Sequence, residues 1–545
     1  MIIGDFNKID LTTSNFKDII SVGNFYVDKT RMIENFLSSS NSVHLVARQR
    51  RLGKTLNMNM LRCFLTDSED LRHLFKGLYV EESPVWRMAN SAPVFYFDFK
   101  GLDTSTYKQQ VVQMAVKHIY SVINPDLLQG YMKHRYESLI NVPGFESSAL
   151  HILTEIVHEA TGKRSYLLID EYDKLLMENF ENESYGVIRN FMTALFSAAV
   201  KGNEYLEKAL LTGVMRISHE SMFSGLNNIV TYDVFNDDLY TDDYGFTEEE
   251  VAEIGKLADF DVSELRRWYN GVRVFGKPVY NTYSVMSFLH RRQYDCYWGK
   301  SGTMDVIRNQ INEERRWVLA KLLLGERAEV PMENRVSLCR MAEGTSDEAF
   351  YSLLVQGGYL ALGEKVPDKF STYYVSLPNT ELMHVWREFV LTNLFKNSRV
   401  VRTLFDHIDD LETFQSDLEY FLSDRLSYHD LFSKGGDEPR RKNERVYHVF
   451  LLGLLSAYED TRVRQPASNA ETGFGRCDVL VERPVANIIF EMKASKTEGD
   501  LEEDSQKALE QISAKRYGVD LNPSKRLVKV GIAFFGKKVV VKCAE

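Results

Sequence analysis

Cysteine is scarce in this chain, and its copies lie far apart. There are five, and no two form a C-x-x-C pair: Cys63, Cys296, Cys339, Cys477 and Cys543. This pattern argues against a zinc site or a disulfide framework, and it fits a reducing compartment.

Long apolar runs and a signal peptide are absent as well. No apolar run reaches the roughly 18 residues that a membrane-spanning helix needs. The first segment, MIIGDFNKIDLTTSNFKDII, carries acidic residues early and lacks the basic start and long apolar middle of a secretory signal. We therefore predict a cytoplasmic protein with no membrane partner.

An overall positive charge is also missing. The formal net charge is −11, so the chain as a whole gives no general reason to bind a polyanion. The charge is uneven, because nine Lys and Arg residues oppose three acidic residues over 505–545, which gives this tail a charge of +6. A basic surface of this kind can bind phosphates. A solvated lysine-rich surface accounts for it equally well.

The size and composition are those of a multidomain globular protein. At 545 residues the chain is long enough for three or four domains of about 150 residues. The 44% hydrophobic and 12% aromatic contents argue against disorder. We find no internal repeat and no low-complexity linker.

The first motif is an incomplete phosphate-binding loop. Gly53-Lys54-Thr55 ends the Walker A pattern G-x-x-x-x-G-K-[ST], but Arg48 stands where the first glycine is expected. An apolar run over 43–47 predicts a strand, and apolar residues at helical spacing follow Thr55, so the motif falls where a strand turns into a helix. Gly53 would let the backbone approach a phosphate, Lys54 would supply charge, and Thr55 would hold Mg²⁺. G-K-T alone also occurs by chance.

The second half of a nucleotide site lies further along. The run SYLLIDEYD (165–173) predicts a buried strand that ends in two carboxylates. Asp170 is placed like a Walker B aspartate that holds Mg²⁺, and Glu171 is placed to orient or deprotonate the attacking water. The alternative is an ordinary strand end followed by an acidic turn.

Two further runs, 93–99 and 208–214, predict strands of the same sheet. Helical patterns alternate with them, as over 107–122, so we predict an α/β fold with a mainly parallel sheet and helices on both faces. Thr212 ends its strand, where it would sense the γ-phosphate. Arg216 could reach the phosphates of this subunit or, in a homo-oligomer, of a neighbour. A turn hydroxyl and a surface arginine are the plain alternatives for these two residues.

Four segments give these motifs a family context. They are FYVDKT (25–30), ARQRRLGKT (47–55), LLIDEYDK (167–174) and LLTGVMRISHESMFSGLNNI (210–229). In this order they resemble the AAA-ATPase-like family that is often fused to a C-terminal PD-(D/E)xK nuclease-like domain. The resemblance covers about the first 250 residues and implies ATP as the ligand.

The same resemblance accounts for the missing glycine. Members of the family typically carry an R-P-R-R-[FY]-G-K-T loop that also lacks it. This chain departs from that form at Gln49, where the family has proline, and at Leu52, where it has an aromatic residue. Neither change removes a phosphate ligand. Arg50 and Arg51 would add positive charge to the loop, and the resemblance makes Arg51 a candidate nucleotide-binding residue; solvated arginines are the alternative.

The residue pattern in the middle of the chain, 246–378, predicts helices and a two-stranded wing. Thr247 is placed as the N-cap of a helix that begins with three glutamates. A helix over 347–355 is followed by a strand pair at 358–362 and 371–378. A winged-helix unit of this kind can bind DNA or serve as an ATPase lid. We favour a lid because no basic stripe is concentrated here.

The last region, 379–545, holds a second group of carboxylates. Two strands are predicted over 477–481 and 487–494, joined by a turn that contains Pro484. Glu491 and Lys493 share a face of the second strand, and Asp478 on the first strand can lie beside Glu491. Paired carboxylates repel unless a cation bridges them, so Mg²⁺ or Mn²⁺ would fit. The Met492 carbonyl would be a third ligand, and Lys493 would orient the water or stabilise charge.

This D…E-x-K arrangement is the PD-(D/E)xK signature, although a salt-bridged strand would look the same. The family resemblance extends to ETGFGRCD and ALEQI. It implies that Glu444, on a helix over 443–457, lies near the metal, and that Gln511, on a helix that begins at Ala508, faces the site. Arg476 would contact backbone phosphates, and Glu471 is a further candidate carboxylate.

We therefore predict three domains: an AAA-like P-loop ATPase (1–245), a helical or winged-helix-like coupling region (246–378) and a PD-(D/E)xK nuclease-like domain (379–545). The predicted function is an ATPase coupled to a Mg²⁺-dependent nuclease that acts on DNA rather than RNA, with a role in defence against foreign DNA. The alternative is a nucleotide-switch signalling protein that binds nucleic acid or a partner without cutting.

Overall fold

The computed structural model describes the following residues: 1–217, 228–298, 310–323, 325–334, 336, 338–342, 344, 346–394, 407–425, 448, 451, 464–483, 486–536 and 538–545. They divide into two compact units, Met1–Ser301 with Glu329–Glu381 and Gly302–Ala328 with Leu382–Glu545. Among these residues, no helix combines the length and the apolar character needed to cross a bilayer.

The α-helices of the described residues are α1 (Phe16–Ser21), α2 (Arg31–Ser38), α3 (Lys54–Leu65), α4 (Tyr107–Val122), α5 (Gly130–Asn141), α6 (Ala149–Thr161), α7 (Lys174–Asn179), α8 (Tyr185–Val200), α9 (Glu248–Ala258), α10 (Val262–Tyr269), α11 (Thr282–Arg291), α12 (Glu313–Leu323), α13 (Leu338–Ala342), α14 (Asp347–Gln356), α15 (Thr380–Leu394), α16 (Leu411–Arg425) and α17 (Leu501–Ala514). Short 3₁₀ turns lie at Arg72–Phe75, Tyr79–Glu82, Pro84–Met88, Phe99–Gly101, Pro125–Leu127, Glu146–Ser148 and Glu498–Asp500.

The strands of the same residues are β1 (Ile2–Ile3), β2 (Tyr26–Val27), β3 (Val43–Ala47), β4 (Val94–Asp98), β5 (Ser165–Asp170), β6 (Leu206–Gly213), β7 (Ile229–Tyr232), β8 (Val272–Val274), β9 (Lys277–Val279), β10 (Ala328–Pro331), β11 (Ala361–Lys365), β12 (Thr372–Ser376), β13 (Arg464–Thr472), β14 (Gly475–Glu482), β15 (Ala486–Ala494), β16 (Arg526–Phe535) and β17 (Lys538–Ala544).

A five-stranded parallel sheet forms the centre of the first unit. Its strand order is β4-β5-β6-β3-β7, and every neighbouring pair is parallel. Strands β3 and β5 are buried along their whole length, as expected for a sheet covered by helices on its faces. This arrangement confirms the predicted α/β fold. The carboxyl ends of β3, β5 and β6 meet at one edge, and all the predicted nucleotide motifs follow these three strands.

Helix α3 is held against the sheet by its apolar stripe. Met60, Leu61 and Phe64 are fully buried, and they have the helical spacing that the sequence predicts. The Phe64 ring meets Phe75 edge to face, with 5.3 Å between the ring centres. This packing fixes the start of α3 relative to the end of β3.

Two parts of the predicted coupling region, up to residue 301 and from residue 329 onward, belong to the first unit. Thr247 caps α9 in a capping box with Glu250, which confirms the predicted N-cap. Helix α14 is followed by the antiparallel pair β11 and β12, as predicted, and β10 adds a third strand. Strand β11 begins later than the predicted Gly358, because Gly358 has φ +82° and interrupts the extended backbone.

The second unit contains a mixed sheet with the order β13-β14-β15-β16-β17. Strands β15 and β16 are parallel, and the other neighbours are antiparallel. Helix α17 lies close to β16 at Gly531, where a Cβ atom would stand 2.4 Å from the Ser505 carbonyl oxygen. This close approach brings the face of α17 against β15 and its carboxylate.

The predicted start of α17 at Ala508 is wrong. The helix begins at Leu501, after a 3₁₀ turn in which Thr497 and Asp500 form a capping box. Acidic residues in the first turn, Glu502, Glu503 and Asp504, favour this earlier start because they face the positive end of the helix dipole.

Candidate active sites

The phosphate loop runs from β3 to α3 and depends on Gly53. This residue has φ +87° and precedes the first residue of α3. A Cβ atom there would meet nothing within 4 Å, so the backbone conformation, and not a lack of space, requires glycine. The loop thus presents the amino end of a 12-residue helix to the space above the sheet.

Lys54 lies inside this loop. Its Nζ donates to the carbonyl oxygens of Arg48 at 2.9 Å and Gln49 at 3.0 Å. Burial lowers the pKa of Lys54, and the nearby carboxylates of Glu171 and Asp170 oppose that shift. The side chain therefore sits at the buried end of the loop, among acidic groups that come from the neighbouring motif.

Asp170, the last residue of β5, contacts side chains of α3, β4 and β6. Thr55 Oγ1 donates to its Oδ2 at 2.7 Å, Tyr96 Oη donates to the same oxygen at 3.3 Å, and Thr212 Oγ1 donates to Oδ1. The two motifs predicted from sequence thus meet through one hydrogen bond. Thr212 is fully buried and bonds to this carboxylate.

Glu171 follows Asp170 with an unusual backbone. It has φ +53°, in the left-handed region that non-glycine residues seldom occupy. Arg51, in the phosphate loop, has φ +67°. Both residues line the same cavity, and strained conformations of this kind cluster at ligand sites.

Arg48 turns away from the cavity. It is fully buried, forms an ion pair with Asp237 and donates to the Tyr232 carbonyl oxygen at 3.1 Å. Gln49 is also buried, and its amide packs so closely on Gly358 that a Cβ there would lie 1.5 Å from Oε1. Arg48, which replaces the first glycine of the Walker A pattern, and Gln49, which replaces the family's proline, therefore anchor the loop to the rest of the unit.

A cavity of about 590 Å³ opens above the loop. Polar and charged residues that line it include Arg50, Arg51, Lys54, Thr55, Asp170 and Glu171. Apolar side chains line it as well: Phe25 and Val27, which belong to the FYVDKT segment, and Phe246, Tyr283 and Met286, which no sequence motif indicated. A cavity lined by both kinds of group suits a nucleotide.

Helix α11 forms part of the cavity wall and touches the loop. Thr282 Oγ1 donates to the Arg51 carbonyl oxygen at 2.6 Å, and the Arg51 guanidinium lies 4.3 Å from the centre of the Tyr283 ring. Part of the predicted coupling region is thus in direct contact with the predicted phosphate loop.

Arg216 is not among the residues that line this cavity. Its guanidinium contacts Asp233 at 3.3 Å, and its backbone N–H donates to Gln356 Oε1 at 2.8 Å. Close by, Asp173 accepts hydrogen bonds from the backbone N–H groups of Val214 and Met215, both at 2.8 Å. No sequence motif indicated a role for Asp173, although it lies in the predicted acidic turn.

The C-terminal carboxylates come together on adjoining strands. The register of β14 and β15 ends with the pair Val479 and Phe490, and Asp478 and Glu491 are the next residue of each strand beyond that pair. Directly opposed residues have Cβ atoms about 4.5–5.5 Å apart. Asp478 Oδ2 accepts the backbone N–H of Met492 at 2.8 Å. Burial raises the pKa of Asp478 to about 6, while the Met492 hydrogen bond and the Lys493 charge oppose that shift.

Gln511 connects the remaining side chains of this group. Its amide nitrogen donates to Glu491 Oε1, and its amide oxygen accepts from Lys493 Nζ at 2.8 Å. Both strand residues therefore face α17, which confirms that they share a face of β15. Glu471 pairs with Arg476 at 2.6 Å on the exposed surface.

Glu444 lies outside the described residues, as does most of the predicted helix over 443–457. His448 is described, is buried, and hydrogen-bonds to the backbone of Asp478; burial lowers its pKa to about 4. Within the part of the chain that the structure describes, no three or more His, Cys, Asp or Glu side chains are grouped to hold a metal ion.

The first unit combines a parallel sheet with a P-loop motif, and the second combines a mixed sheet with the D…E-x-K carboxylates. Residues 10–223 match the family described as "Predicted AAA-ATPase", and residues 442–544 match the "PD-(D/E)XK nuclease superfamily". The chain therefore carries an AAA-ATPase-like domain and a PD-(D/E)XK nuclease-superfamily domain, and the fusion that the motifs predicted is confirmed.

A relative of this chain comes from Azotobacter chroococcum mcd 1. It is described as "Uncharacterized protein in vnfD 5'region", and it is 28% identical over 351 residues. The match covers 62% of this chain and 61% of the relative, which is less than two thirds of its length.

Proposed function

We propose that the first unit binds ATP with Mg²⁺ and hydrolyses it. The observation that supports this proposal is the 2.7 Å hydrogen bond from Thr55 to Asp170, because these two residues and Lys54 line one cavity. Lys54 and the amino end of α3 would hold the phosphates, and Thr55 and Asp170 would hold the ion. Glu171 would accept the proton of the attacking water. The bound Mg²⁺ would neutralise charge on the phosphates.

We propose that the second unit cleaves nucleic acid, DNA rather than RNA, with Mg²⁺ or Mn²⁺. Support comes from the Asp478 and Glu491 pair and from Gln511, which orients both Glu491 and Lys493. The two carboxylates suit a hard cation, which would supply an activated water. Lys493 would stabilise the charge that develops on the scissile phosphate.

The nuclease proposal is tested with Lys493→Ala in the full chain. We expect this variant to lose Mg²⁺-dependent cleavage of DNA, by about 10²-fold or more, and to bind ATP as the wild type does. Lys529→Ala is the matched control, because Lys529 lies on the neighbouring strand β16 and its Nζ bonds to the Glu545 carbonyl oxygen at 3.1 Å. Unchanged cleavage by Lys493→Ala would reject the assignment.

The contact of α11 with the phosphate loop favours a second function, a nucleotide-driven switch that binds nucleic acid or a partner without cutting it. Because Thr282 and Tyr283 touch Arg51, a change in the loop would be passed to α11. Steady-state ATP hydrolysis with and without DNA, measured beside cleavage, separates the two functions. A role in defence against foreign DNA fits an ATPase–nuclease fusion at the level of architecture.

A further inference from the structure

The turn between β13 and β14 presents an exposed aromatic ring. Phe474 is 70% exposed, and the guanidinium carbon of Arg516 lies 5.6 Å from its ring centre. Lys515 and Arg516 are both exposed, and within the described residues of this unit neither takes part in an ion pair. The ring and the two cations therefore face solvent together.

Hydrogen bonds hold this turn in place. The Phe474 N–H donates to the Lys515 carbonyl oxygen at 2.8 Å, and the Gly518 N–H donates to Thr472 Oγ1 at 2.8 Å. Gly473 has φ +57°, and a Cβ atom there would lie 2.1 Å from the Arg516 carbonyl oxygen. The exposed ring is thus fixed against the segment that follows α17, and little conformational freedom remains to be lost on binding.

The turn leads directly into β14, the strand that carries Asp478 of the nuclease-type site. Arg476 lies two residues before Asp478 and so shares its face of β14. Tyr517 lies under the turn, with its hydroxyl 3.2 Å from the position of a Cβ on Gly475. Burial raises the pKa of Tyr517, and the Gln511 side chain opposes that shift. Gln511 in turn contacts Glu491.

We propose that the hairpin-tip cluster, defined as Phe474, Arg476, Lys515 and Arg516, binds unpaired nucleotides a few nucleotides away from the scissile phosphate. This inference rests on the proposed nuclease function and deepens it. Every base has a face that can stack on an aromatic ring, and arginine and lysine side chains contact phosphates. In a continuous duplex the base faces are covered by neighbouring bases. The substrate class is therefore nucleic acid with a single-stranded segment.

The distance along the chain from Phe474 to Asp478 indicates how far the single-stranded segment lies from the bond that is cut. Phe474 precedes Asp478 by four residue steps, which is about 13 Å at about 3.3 Å per residue. Stacked nucleotides rise by about 3.4 Å each, so the unpaired segment begins roughly four nucleotides from the bond that is cut.

The test measures binding of labelled DNA to the full chain by fluorescence anisotropy, without divalent cations so that no cleavage occurs. Three probes share one sequence: a single strand, a blunt duplex and a duplex with a single-stranded tail. Phe474→Ala is compared with Phe474→Trp, which keeps a stacking ring. Tyr420→Ala is the control, because Tyr420 is 75% exposed on α16 of the same unit.

We expect Phe474→Ala to weaken binding of the single strand and the tailed duplex by about fivefold or more, and to leave the blunt duplex unaffected. Phe474→Trp should bind like the wild type, and so should Tyr420→Ala. Equal binding of all probes by Phe474→Ala and the wild type overturns the inference, and so does an equal loss on all three. A wild-type chain that neither binds nor cuts DNA rejects the proposed nuclease function itself. If the wild type cuts DNA but Phe474→Ala shows no selective loss, only the hairpin-tip cluster is rejected.

Discussion

At the residue scale, Asp243 carries a carboxyl group that is buried in the wall of the cavity above the loop. Burial raises its pKa to about 7, and the hydrogen bond from Asn35 Nδ2, 2.8 Å long, opposes that shift. An unfolded aspartate titrates near about 3.9. The folded state therefore holds this proton more tightly, so the contribution of Asp243 to stability falls as pH rises from about 4 to about 7 and stays low above that range.

Asp243→Asn removes this pH dependence, because the amide carries no charge and its oxygen can still accept from Asn35. We expect the variant to be more stable than the wild type at about pH 8, by on the order of 1–4 kcal/mol, and similar to it at about pH 4. Urea unfolding midpoints across this range measure the difference. The control is Asp242→Asn, since Asp242 is exposed and pairs with Lys277 at 3.0 Å. Parallel curves for wild type and Asp243→Asn would contradict the electrostatic account.

The motif residues that line the polar part of the cavity could be predicted from sequence, but those that anchor the loop could not. Lys54, Thr55 and Asp170 follow strands in motifs whose chemistry is local, and the structure brings them together. In the sequence, Arg48 is noticeable only because it replaces the first glycine of the Walker A pattern. Its partner Asp237 lies 189 residues further along the chain, and no spacing rule connects two such positions.

At the scale of elements, the junction of β3 and α3 determines whether the loop can hold a phosphate. Gly53 provides the left-handed residue that lets the backbone turn into α3. Gly77 offers a matched comparison, because it has φ +78°, a Cβ atom added to it would meet nothing within 4 Å, and it does not line the main cavity.

We expect Gly53→Ala and Gly77→Ala each to lower the free energy of unfolding by about 1–2 kcal/mol, because alanine is strained at positive φ. Only Gly53→Ala should also weaken nucleotide binding, by about tenfold or more, since the amino end of α3 would move. Calorimetric titration with a non-hydrolysable ATP analogue and Mg²⁺ measures the affinity. Equal affinities for the two variants would show that the loop backbone does not hold the nucleotide.

Apolar periodicity predicts most elements of the sheets, and polar segments are harder to assign. Helix α4 has the limits, Tyr107–Val122, that the sequence predicts. The start of α17 could not be predicted from apolar periodicity, because its first turn is acidic and lacks an apolar stripe. The capping residues Thr497 and Asp500 are the sequence feature that indicates it. The wall formed by Tyr283 and Met286 could not be predicted from the sequence, because tertiary packing alone brings α11 to the cavity.

At the scale of the whole molecule, two compact units carry the two family matches. The first unit contains the phosphate loop and also most of the region that was predicted to act as a lid. The proposed boundaries at 245 and 378 stay a prediction. Contacts such as Gln49 with Gly358 and Arg216 with Gln356 give a physical reason for the larger unit, because both join the ATPase-like segment to residues beyond 329.

The most direct test of the account is phosphate release from ATP by the full chain, with and without Mg²⁺, for the wild type and Lys54→Ala. We expect hydrolysis by the wild type only when Mg²⁺ is present, and a loss of about 10²-fold or more in Lys54→Ala. Lys163→Ala should match the wild type, because Lys163 pairs with Asp67 at the surface and does not line the cavity. Wild-type rates in Lys54→Ala, or no hydrolysis by the wild type, would contradict the assignment of this cavity as an ATPase site.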